Sequence, residues 1–164
     1  MERLKGFTIV ELMVVMGIFG IISSTVVVIY FQLVQASNRA SIAAQVEQNA
    51  SYAMEIMVRE IRAASCVGGG GEILEIKDAN CEETITTFTK NESDDLLRIV
   101  DSIEHKLNDP DKVRVKSLAF GPGVLDSSTR SVTIDLVMES AKPAAHTQFR
   151  GEISLHETVS LRKY

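Results

Sequence analysis

The order of apolar and polar residues separates the start of the chain sharply from the rest. Residues 7–34 are apolar almost throughout, and Glu11 and the phenol of Tyr30 are the only ionisable side chains among them. Charged side chains become frequent only after Gln35. As a helix, residues 7–31 would be about 37 Å long at ~1.5 Å per residue, enough to cross the ~30 Å hydrocarbon core of a bilayer. The pattern therefore predicts a membrane-spanning helix followed by a soluble part.

The apolar segment is predicted to continue as an amphipathic helix. Residues 35–64 contain neither glycine nor proline, and apolar side chains recur at helical spacing at Ala43, Val46, Ala50, Ala53, Met54, Met57, Ile61 and Ala64. Such a stripe covers a hydrophobic core while the polar side chains of the opposite face remain in water. The glycines of Gly68–Gly71 lose too much backbone entropy to extend a helix, so we expect a flexible connector there.

Beyond the glycines the apolar residues alternate with a period of two, which predicts β-strands. Alternation is clearest in residues 131–139 and 153–161, and residues 113–120 form a third candidate strand that ends at the turn Gly121–Gly123. Weaker strand predictions are residues 73–77, 84–89 and 96–100. Residues 95–107 also fit a helix. The expected fold class is α+β, with one face of an antiparallel sheet lying on the helix.

Length and net charge limit the classes of protein that the sequence can represent. A chain of 164 residues is suited to one compact core plus an extended element. The formal net charge is -5, and no run of Lys and Arg is present. A nucleic-acid surface would need such basic residues clustered on one face, so no nucleic-acid binding is evident.

The two cysteines, Cys66 and Cys81, lie outside the apolar segment. If this part of the chain is outside the cytoplasm, the pair predicts a disulfide closing a loop of roughly 15 residues, which the chain-entropy model values at about 3 kcal/mol. Two free thiols are the alternative. A zinc site is disfavoured, because the histidines His105, His146 and His156 have no metal-ligand spacing with the cysteines.

No group of residues indicates catalysis or a resident cofactor. The adjacent acids Glu82–Glu83 and Asp94–Asp95 are predicted to be solvated loop residues rather than catalytic carboxylates around a cleft. The acidic turn with Asp109 and Asp111 lacks the spacing of a known calcium loop. We therefore expect a protein that is not an enzyme and that uses no cofactor and no metal.

Charged residues at the amino terminus predict the orientation of the membrane helix. Arg3 and Lys5 precede the apolar segment, and the first positive charge after it is Arg39. Because positively charged flanks remain in the cytoplasm, the amino terminus is expected there and the rest of the chain outside. Glu11 lies inside the segment, where a carboxylate is costly and by default marks a functional partner. Snorkelling of Glu11 to the cytoplasmic head groups is the alternative.

The run Lys5–Val15, Lys-Gly-Phe-Thr-Ile-Val-Glu-Leu-Met-Val-Val, resembles the class III signal of type IV prepilins and type II secretion pseudopilins. The resemblance implies that a prepilin peptidase cleaves after Gly6 and methylates the new amino terminus at Phe7. When helices stack in a filament, the ammonium of Phe7 would pair with Glu11 of the same or a neighbouring subunit and fix the axial register. Besides the membrane, the implied partners are other pilin or pseudopilin subunits and an inner-membrane assembly platform.

For the whole chain the resemblance implies the pilin fold, a long amino-terminal helix packed on an antiparallel sheet. Its parts would be a leader peptide of residues 1–6, a transmembrane and assembly helix of residues 7–34, the amphipathic half of the same helix at residues 35–64 and an extracytoplasmic β-rich domain of residues 65–164. The protein would be a single-pass protein of a bacterial inner membrane, with a cytoplasmic amino terminus, before it enters a pilus or pseudopilus.

Two short segments narrow the resemblance. Residues 57–63, Met-Val-Arg-Glu-Ile-Arg-Ala, and residues 158–162, Thr-Val-Ser-Leu-Arg, are similar to the late helix and last strand of minor pilins and J-type minor pseudopilins. They favour a minor subunit at or near the filament tip. The resemblance does not distinguish between three assemblies: a type IV pilus or fimbrium, a DNA-uptake pilus and a type II protein-secretion pseudopilus. The alternative function is a single-pass anchored extracytoplasmic binding domain that does not polymerise.

Overall fold

The structure of the protein, a computed structural model, describes residues 8–125, 128–142 and 151–162, except for the side chains of residues 123 and 124. Within these residues it contains one helix, α1 (Ile9–Ala63), and eight strands in a single sheet. The strands are β1 (Cys66–Gly71), β2 (Ile73–Lys77), β3 (Thr84–Lys90), β4 (Leu96–Val100), β5 (Ile103–Lys106), β6 (Val113–Leu125), β7 (Ser131–Ser140) and β8 (Glu152–Ser160). The chain divides into two compact units between Asn38 and Arg39.

All neighbouring strands of the sheet are antiparallel, in the order β5-β4-β3-β2-β1-β6-β7-β8. Successive strands from β1 to β5 lie side by side, after which the chain returns to place β6 beside β1. This order leaves β5 and β8 at the two edges of the described sheet. Because an even number of strands alternates in direction, the two edge strands run in opposite directions.

The carboxyl-terminal part of α1 packs on one face of the sheet and supplies the centre of the hydrophobic core. Its buried side chains are Val46, Ala50, Ala53, Met54, Met57, Val58 and Ile61. Every second residue of β7 is also buried, namely Val132, Ile134, Leu136 and Met138. Phe88 of β3 and Phe120 of β6 are the largest of the fully buried side chains. The predicted α+β class, with a helix on one face of an antiparallel sheet, is confirmed.

Most predicted strands are confirmed with small shifts at their ends. β2 and β4 have the predicted bounds, and β3, β7 and β8 differ from prediction by one residue at one or both ends. The helical alternative for residues 95–107 is wrong, since β4 and the edge strand β5 occupy this range. The two strands reverse at Asp101 and Ser102, whose φ angles of 51° and 65° form a tight turn.

The flexible connector expected at Gly68–Gly71 is wrong, because these glycines belong to β1, which lies between β2 and β6. The φ of Gly69 is +94°, and a Cβ at this position would lie 2.5 Å from the carbonyl oxygen of Ile73. Glycine is the residue that tolerates both conditions. The predicted end of the helix before the glycines is confirmed, since α1 ends at Ala63.

β6 is longer than the sequence pattern predicts. The turn expected at Gly121–Gly123 lies inside β6, and Gly121 pairs with Thr133 of β7. On its other side β6 pairs with β1. Backbone pairing with two neighbouring strands therefore outweighs the tendency of Gly and Pro to form a turn.

Candidate functional site

The first part of α1 exposes a continuous apolar surface. All large apolar side chains from Ile9 to Leu33 are more than half exposed. Among the described residues, α1 is the one helix that is long and apolar enough to cross a membrane, with a mean hydropathy of 2.6 over its most apolar part. An apolar surface of this size needs lipid or other apolar helices to cover it. The segment therefore fits a membrane anchor.

Thr8 and Glu11 close the amino-terminal end of α1 with reciprocal hydrogen bonds. The backbone N–H and the Oγ1 hydroxyl of Thr8 both donate to Oε2 of Glu11 at 3.0 Å. The backbone N–H of Glu11 donates to Oγ1 of Thr8 at 3.2 Å. This arrangement is a capping box, in which the residue before the helix and the third helical residue satisfy each other's free N–H groups. Thr8 thus determines where the carboxylate of Glu11 lies.

The capping box uses one oxygen of the Glu11 carboxylate and leaves the other available. In the described part of the chain, Oε1 of Glu11 has no hydrogen-bond partner. A carboxylate accepts about four hydrogen bonds, so Glu11 can bind an external cation without giving up Thr8. Gly6 and Phe7 lie outside the described residues, and cleavage after Gly6, methylation of Phe7 and the Phe7–Glu11 charge pair remain predictions.

Two polar side chains within the apolar segment bond to their own helix. The hydroxyl groups of Ser24 and Thr25 donate to the backbone carbonyl of Ile21, at 2.8 Å and 3.0 Å. Hydroxyls satisfied in this way remain paired in lipid, where no water is available. A Cβ added at Gly17 or Gly20 would meet nothing within 4 Å, so close approach by another helix is possible there.

Cys66 and Cys81 are joined as a disulfide, with 5.5 Å between their Cα atoms and 15 residues of sequence separation. The bond connects the start of β1 to the loop between β2 and β3. Asp78 orders this loop, because its backbone carbonyl accepts from Cys81 N–H at 3.1 Å and its carboxylate accepts from Glu82 N–H at 2.9 Å. The disulfide therefore fastens an ordered loop to the sheet.

Asp95 departs from the expectation of a solvated loop acid, which is wrong for this residue. It is 1% exposed, and its carboxylate accepts hydrogen bonds from Lys106 Nζ at 2.6 Å and from Asn108 Nδ2 at 3.4 Å. Burial raises the pKa of Asp95, but the hydrogen bonds and the positive charge of Lys106 outweigh burial and hold the pKa below its ordinary value of 3.8. The neighbouring Asp94 is only partly buried and pairs with Lys90 at 2.9 Å.

Asn108 completes the buried polar cluster around Asp95. Its Oδ1 accepts from the N–H of Leu96, and its Nδ2 donates to the carbonyl of Val113, both at 2.8 Å. The N–H of the next residue, Asp109, donates to Oδ1 of Asn49 in α1 at 3.2 Å. The cluster therefore has a structural role, because it holds the turns around β5 against each other and against α1.

The histidines and the acidic turn are placed apart from one another. His105 lies on β5 and His156 on β8, where His156 pairs with Asp135, whereas His146 lies outside the described residues. Asp109 of the acidic turn pairs with Lys112 at 2.7 Å. Within the described ranges there is no group of three or more His, Cys, Asp or Glu side chains that could hold a metal ion.

Sequence reasoning missed Thr8 as a functional residue, although a signal was present. The spacing Thr-x-x-Glu from Thr8 to Glu11 ahead of an apolar run is typical of a capping box. The cost of a carboxylate in lipid indicates an external partner for Glu11, whereas the capping box gives it a partner at its own helix end. Asp95 offered no comparable signal, since its partners Lys106 and Asn108 are brought to it by the β4–β5 hairpin.

Comparison with known protein families supports the reading of the amino terminus. The family model of the prokaryotic N-terminal methylation motif matches residues 2–27. The matched segment includes Gly6, Phe7, Thr8 and Glu11, and much of the exposed apolar surface. No curated protein and no solved structure matches the chain.

The fold and the matched motif together define a class of protein. The chain combines a methylation motif that extends into an apolar amino-terminal helix with an antiparallel sheet on which the later part of that helix packs. This combination is typical of a membrane-anchored precursor with a class III signal peptide. The match is consistent with the prepilin and pseudopilin family, and it supports a type IV pilin-like or pseudopilin precursor.

Proposed function

We propose that the protein is a minor pilin or minor pseudopilin, a structural subunit that assembles at or near the tip of a type IV pilus or a type II secretion pseudopilus. The observation that carries the proposal is the methylation motif at residues 2–27, which runs into the exposed apolar surface of α1. Such a surface serves first in lipid and later against neighbouring helices, because both environments are apolar.

The chain would be processed and oriented at its amino terminus. Prepilin peptidase removes residues 1–6 and methylates Phe7, while the amino terminus faces the cytoplasm. Arg3 and Lys5 support this orientation, since Arg39 is the first positive charge on the other side of the apolar segment. An inner-membrane assembly platform then moves the processed subunit out of the lipid.

The remaining chain would act as an anchor followed by an extracytoplasmic domain. Residues 7–34 form the transmembrane and assembly helix, residues 35–64 its amphipathic half and residues 65–164 the β-rich domain. The division into two compact units between Asn38 and Arg39 supports a membrane boundary close to residue 34. The burial of α1 side chains begins beyond this point, at Val46.

Glu11 would hold subunits in register during assembly. Cleavage creates an ammonium at Phe7, which needs an anion once the helix leaves the lipid and packs among other helices. Oε1 of Glu11 can accept a hydrogen bond from the ammonium of a neighbouring subunit, while Oε2 keeps its hydrogen bonds from Thr8. The helix end then stays capped in both states, and only the second oxygen changes its partner.

Support for a minor subunit comes from two segments that contribute to one core. Met57, Val58 and Ile61 of α1 are buried in the same hydrophobic cluster as Val159 of β8 and Leu161, which follows the strand. These residues belong to the segments 57–63 and 158–162 that are similar to minor pilins and J-type minor pseudopilins. The two similar segments therefore both contribute residues to one hydrophobic core.

The mature amino terminus tests the proposal. When the full-length protein is expressed with its native assembly machinery, mass spectrometry should give the mass of a chain that begins at N-methylated Phe7. Gly6→Val should abolish processing, because a branched side chain obstructs entry of the backbone into the protease cleft. Gly17→Val is the matched control and should leave processing unchanged, since a Cβ there meets nothing within 4 Å. A native protein that still begins at Met1 contradicts the proposal and favours an anchored binding domain that does not polymerise.

A further inference from the structure

The outer edge of β8 carries unused backbone groups in the described chain. Ser140 N–H donates to the carbonyl of Gly151, and Leu161 N–H donates to the carbonyl of Arg130, both at 2.9 Å. Because bonded pairs alternate along an antiparallel ladder, the odd-numbered residues of β8 bond to β7. The residues whose N–H and C=O groups point away from β7 are Glu152, Ser154, His156, Thr158 and Ser160.

The opposite edge of the sheet, β5, has the same property. Leu107 N–H donates to the carbonyl of Leu96 at 2.9 Å, so by alternation Ile103 and His105 also bond to β4. The outward N–H and C=O groups of β5 belong to Glu104 and Lys106. An exposed edge with free backbone groups is a ready template for another strand.

The side chains of β5 point alternately to the two faces of the sheet. His105 pairs with Arg98 across the hairpin, and Arg98 forms an ion pair with Glu60 of α1, so His105 and Ile103 lie on the helix side of the sheet. Ile103 is 59% exposed there. Glu104 and Lys106 lie on the opposite face. One edge of the sheet therefore presents an apolar side chain that its own core leaves uncovered.

The β8 edge offers a place for such a side chain. A groove runs between β8 and α1, and its apolar lining consists of Met54, Val58 and Leu155. Leu155 lies on the helix side of β8 and is partly buried against the core. A strand added to β8 would direct every second side chain toward this groove.

We propose that β5 of one copy of the protein adds to β8 of a second copy, so that their two sheets become continuous. β5 and β8 run in opposite directions within one sheet, so two copies that share an orientation meet as antiparallel strands. Copies anchored in the same membrane by α1 share that orientation, and in this respect the inference rests on the proposed function. The contact can form before or after processing, because it involves no residue of the amino terminus.

One register of the added strand satisfies both faces of the sheet. It places Ile103 opposite Leu155, Glu104 opposite Ser154 and Lys106 opposite Glu152. In this register Ile103 moves from water into the groove, which is favourable for an apolar side chain. Lys106 and Glu152 lie opposite each other and attract because their charges are opposite.

The neighbouring registers are less favourable. A shift by two residues in one direction puts Glu104 opposite Glu152, and like charges directly opposite each other are destabilising. A shift by two residues in the other direction puts the apolar Ile103 opposite the acidic Glu157. The charges and apolar positions of the two edges therefore select a single alignment.

The new charge pair extends contacts that already exist in each copy. Lys106 binds Asp95 at 2.6 Å and is 52% exposed at its side chain, and Glu152 binds Lys116 at 2.8 Å and is 47% exposed. An ammonium has three donors and a carboxylate has two oxygens, so neither existing pair needs to break. The result is a row of alternating charges, Asp95, Lys106, Glu152 and Lys116, across the two copies.

Cysteine cross-linking in the membrane tests this register. Two differently tagged full-length chains, one with Glu104→Cys and one with Ser154→Cys, are expressed together and oxidised mildly. Opposed residues of a hydrogen-bonded pair have Cα atoms about 5.5 Å apart, within the range of a disulfide. We expect a dimer that carries both tags. The matched control, Glu104→Cys with Thr158→Cys, should give no dimer, and equal yields from both combinations or no dimer from the first would overturn the proposal.

A second variant tests the role of the groove. Ile103→Lys in the Glu104→Cys chain should remove the cross-linked dimer, whereas Ile85→Lys should retain it, since Ile85 is similarly exposed at 49% but lies on β3. The mass of the amino terminus is measured in the same membranes. Cross-linking by a chain that still begins at Met1 refutes only the proposed function, and a chain that begins at Phe7 without cross-linking refutes only the pairing.

Discussion

The carboxylate of Glu11 has two separable roles at the start of α1, one in capping the helix and one in the proposed charge pair. Oε2 of Glu11 accepts the N–H and the hydroxyl of Thr8, which closes the helix end. This task requires an acceptor but no charge, because a glutamine completes a capping box as well as a glutamate. The proposed pairing with the ammonium of a neighbouring Phe7 requires the charge. Substitutions can therefore remove one task and keep the other.

Glu11→Gln should leave membrane insertion and removal of the leader unchanged but reduce incorporation into filaments. The variant keeps the cap, while an ammonium without its anion is strongly disfavoured among packed helices, so we expect a decrease of about tenfold or more. The measurement is the ratio of sheared filament to membrane-bound subunit on immunoblots. Thr8→Val, which keeps the charge and loses the cap, should have a smaller effect. Wild-type incorporation of the glutamine variant would argue against the charge pair.

Asp95 should make the stability of the domain depend on acid pH. The pKa of Asp95 is lower in the folded protein than the ordinary value of 3.8, so its charged form stabilises the fold above that value. This contribution is lost as the pH falls through the lower folded pKa. Asp95→Asn should reduce the free energy of unfolding near neutral pH by about 1–3 kcal/mol, through weaker hydrogen bonds in a buried cluster.

Denaturant unfolding of the full-length protein in detergent, at neutral pH and below the ordinary pKa of Asp95, measures this effect. The difference between wild type and Asp95→Asn should shrink in acid. Asp94→Asn is the matched control and should change stability little, since the side chain of Asp94 is 44% exposed. A difference that is equally large at both pH values would show that the charge of Asp95 is not responsible.

At the scale of elements, the sheet contains two kinds of strand. Some can be identified from their own sequence pattern, and others are extended only because they pair with neighbouring strands. β7 and β8 were predictable because apolar and polar side chains alternate along them. β1 was not, since its glycines have no side chains to alternate, and its extended form comes from pairing with β2 and β6. β5 has four exposed residues and is a strand because the turn at Asp101 and Ser102 folds it onto β4.

Gly69→Ala should destabilise the sheet through β1. The φ of +94° disfavours any residue with a Cβ, and the added carbon would lie 2.5 Å from the carbonyl oxygen of Ile73. We expect a loss of about 2 kcal/mol or more in the free energy of unfolding, as strained backbone positions typically cost about 1–3 kcal/mol each. Gly71→Asn is the control, because its φ of +66° lies where asparagine is tolerated and its Cβ would meet nothing within 4 Å.

The readout for Gly69→Ala is the midpoint of denaturant unfolding in detergent. The midpoint should fall clearly for this variant and little for Gly71→Asn. Equal midpoints for the two variants would mean that the close approach of β1 to Ile73 does not constrain the hairpin.

At the scale of the whole molecule, the sequence predicts the anchor better than it predicts the domain. The anchor is a local feature, because the composition changes at one point and the residues from Lys5 to Glu11 are adjacent in the chain. The core also followed from periodicity, as shown by Met57 and Ile61 of α1. The cluster around Asp95 and the two free edges of the sheet depend on which strands become neighbours, and no local pattern contains that information.

The hydroxyls of Ser24 and Thr25, which both donate to the carbonyl of Ile21, bear on the proposed departure of the anchor from the bilayer. Because these two hydroxyls are paired within the helix, acyl chains and neighbouring apolar helices can cover this turn equally well. In the proposed assembly, extraction would replace lipid contacts with helix contacts at this turn and would break neither hydrogen bond. Moving the carboxylate of Glu11 would therefore demand more work than moving this turn does.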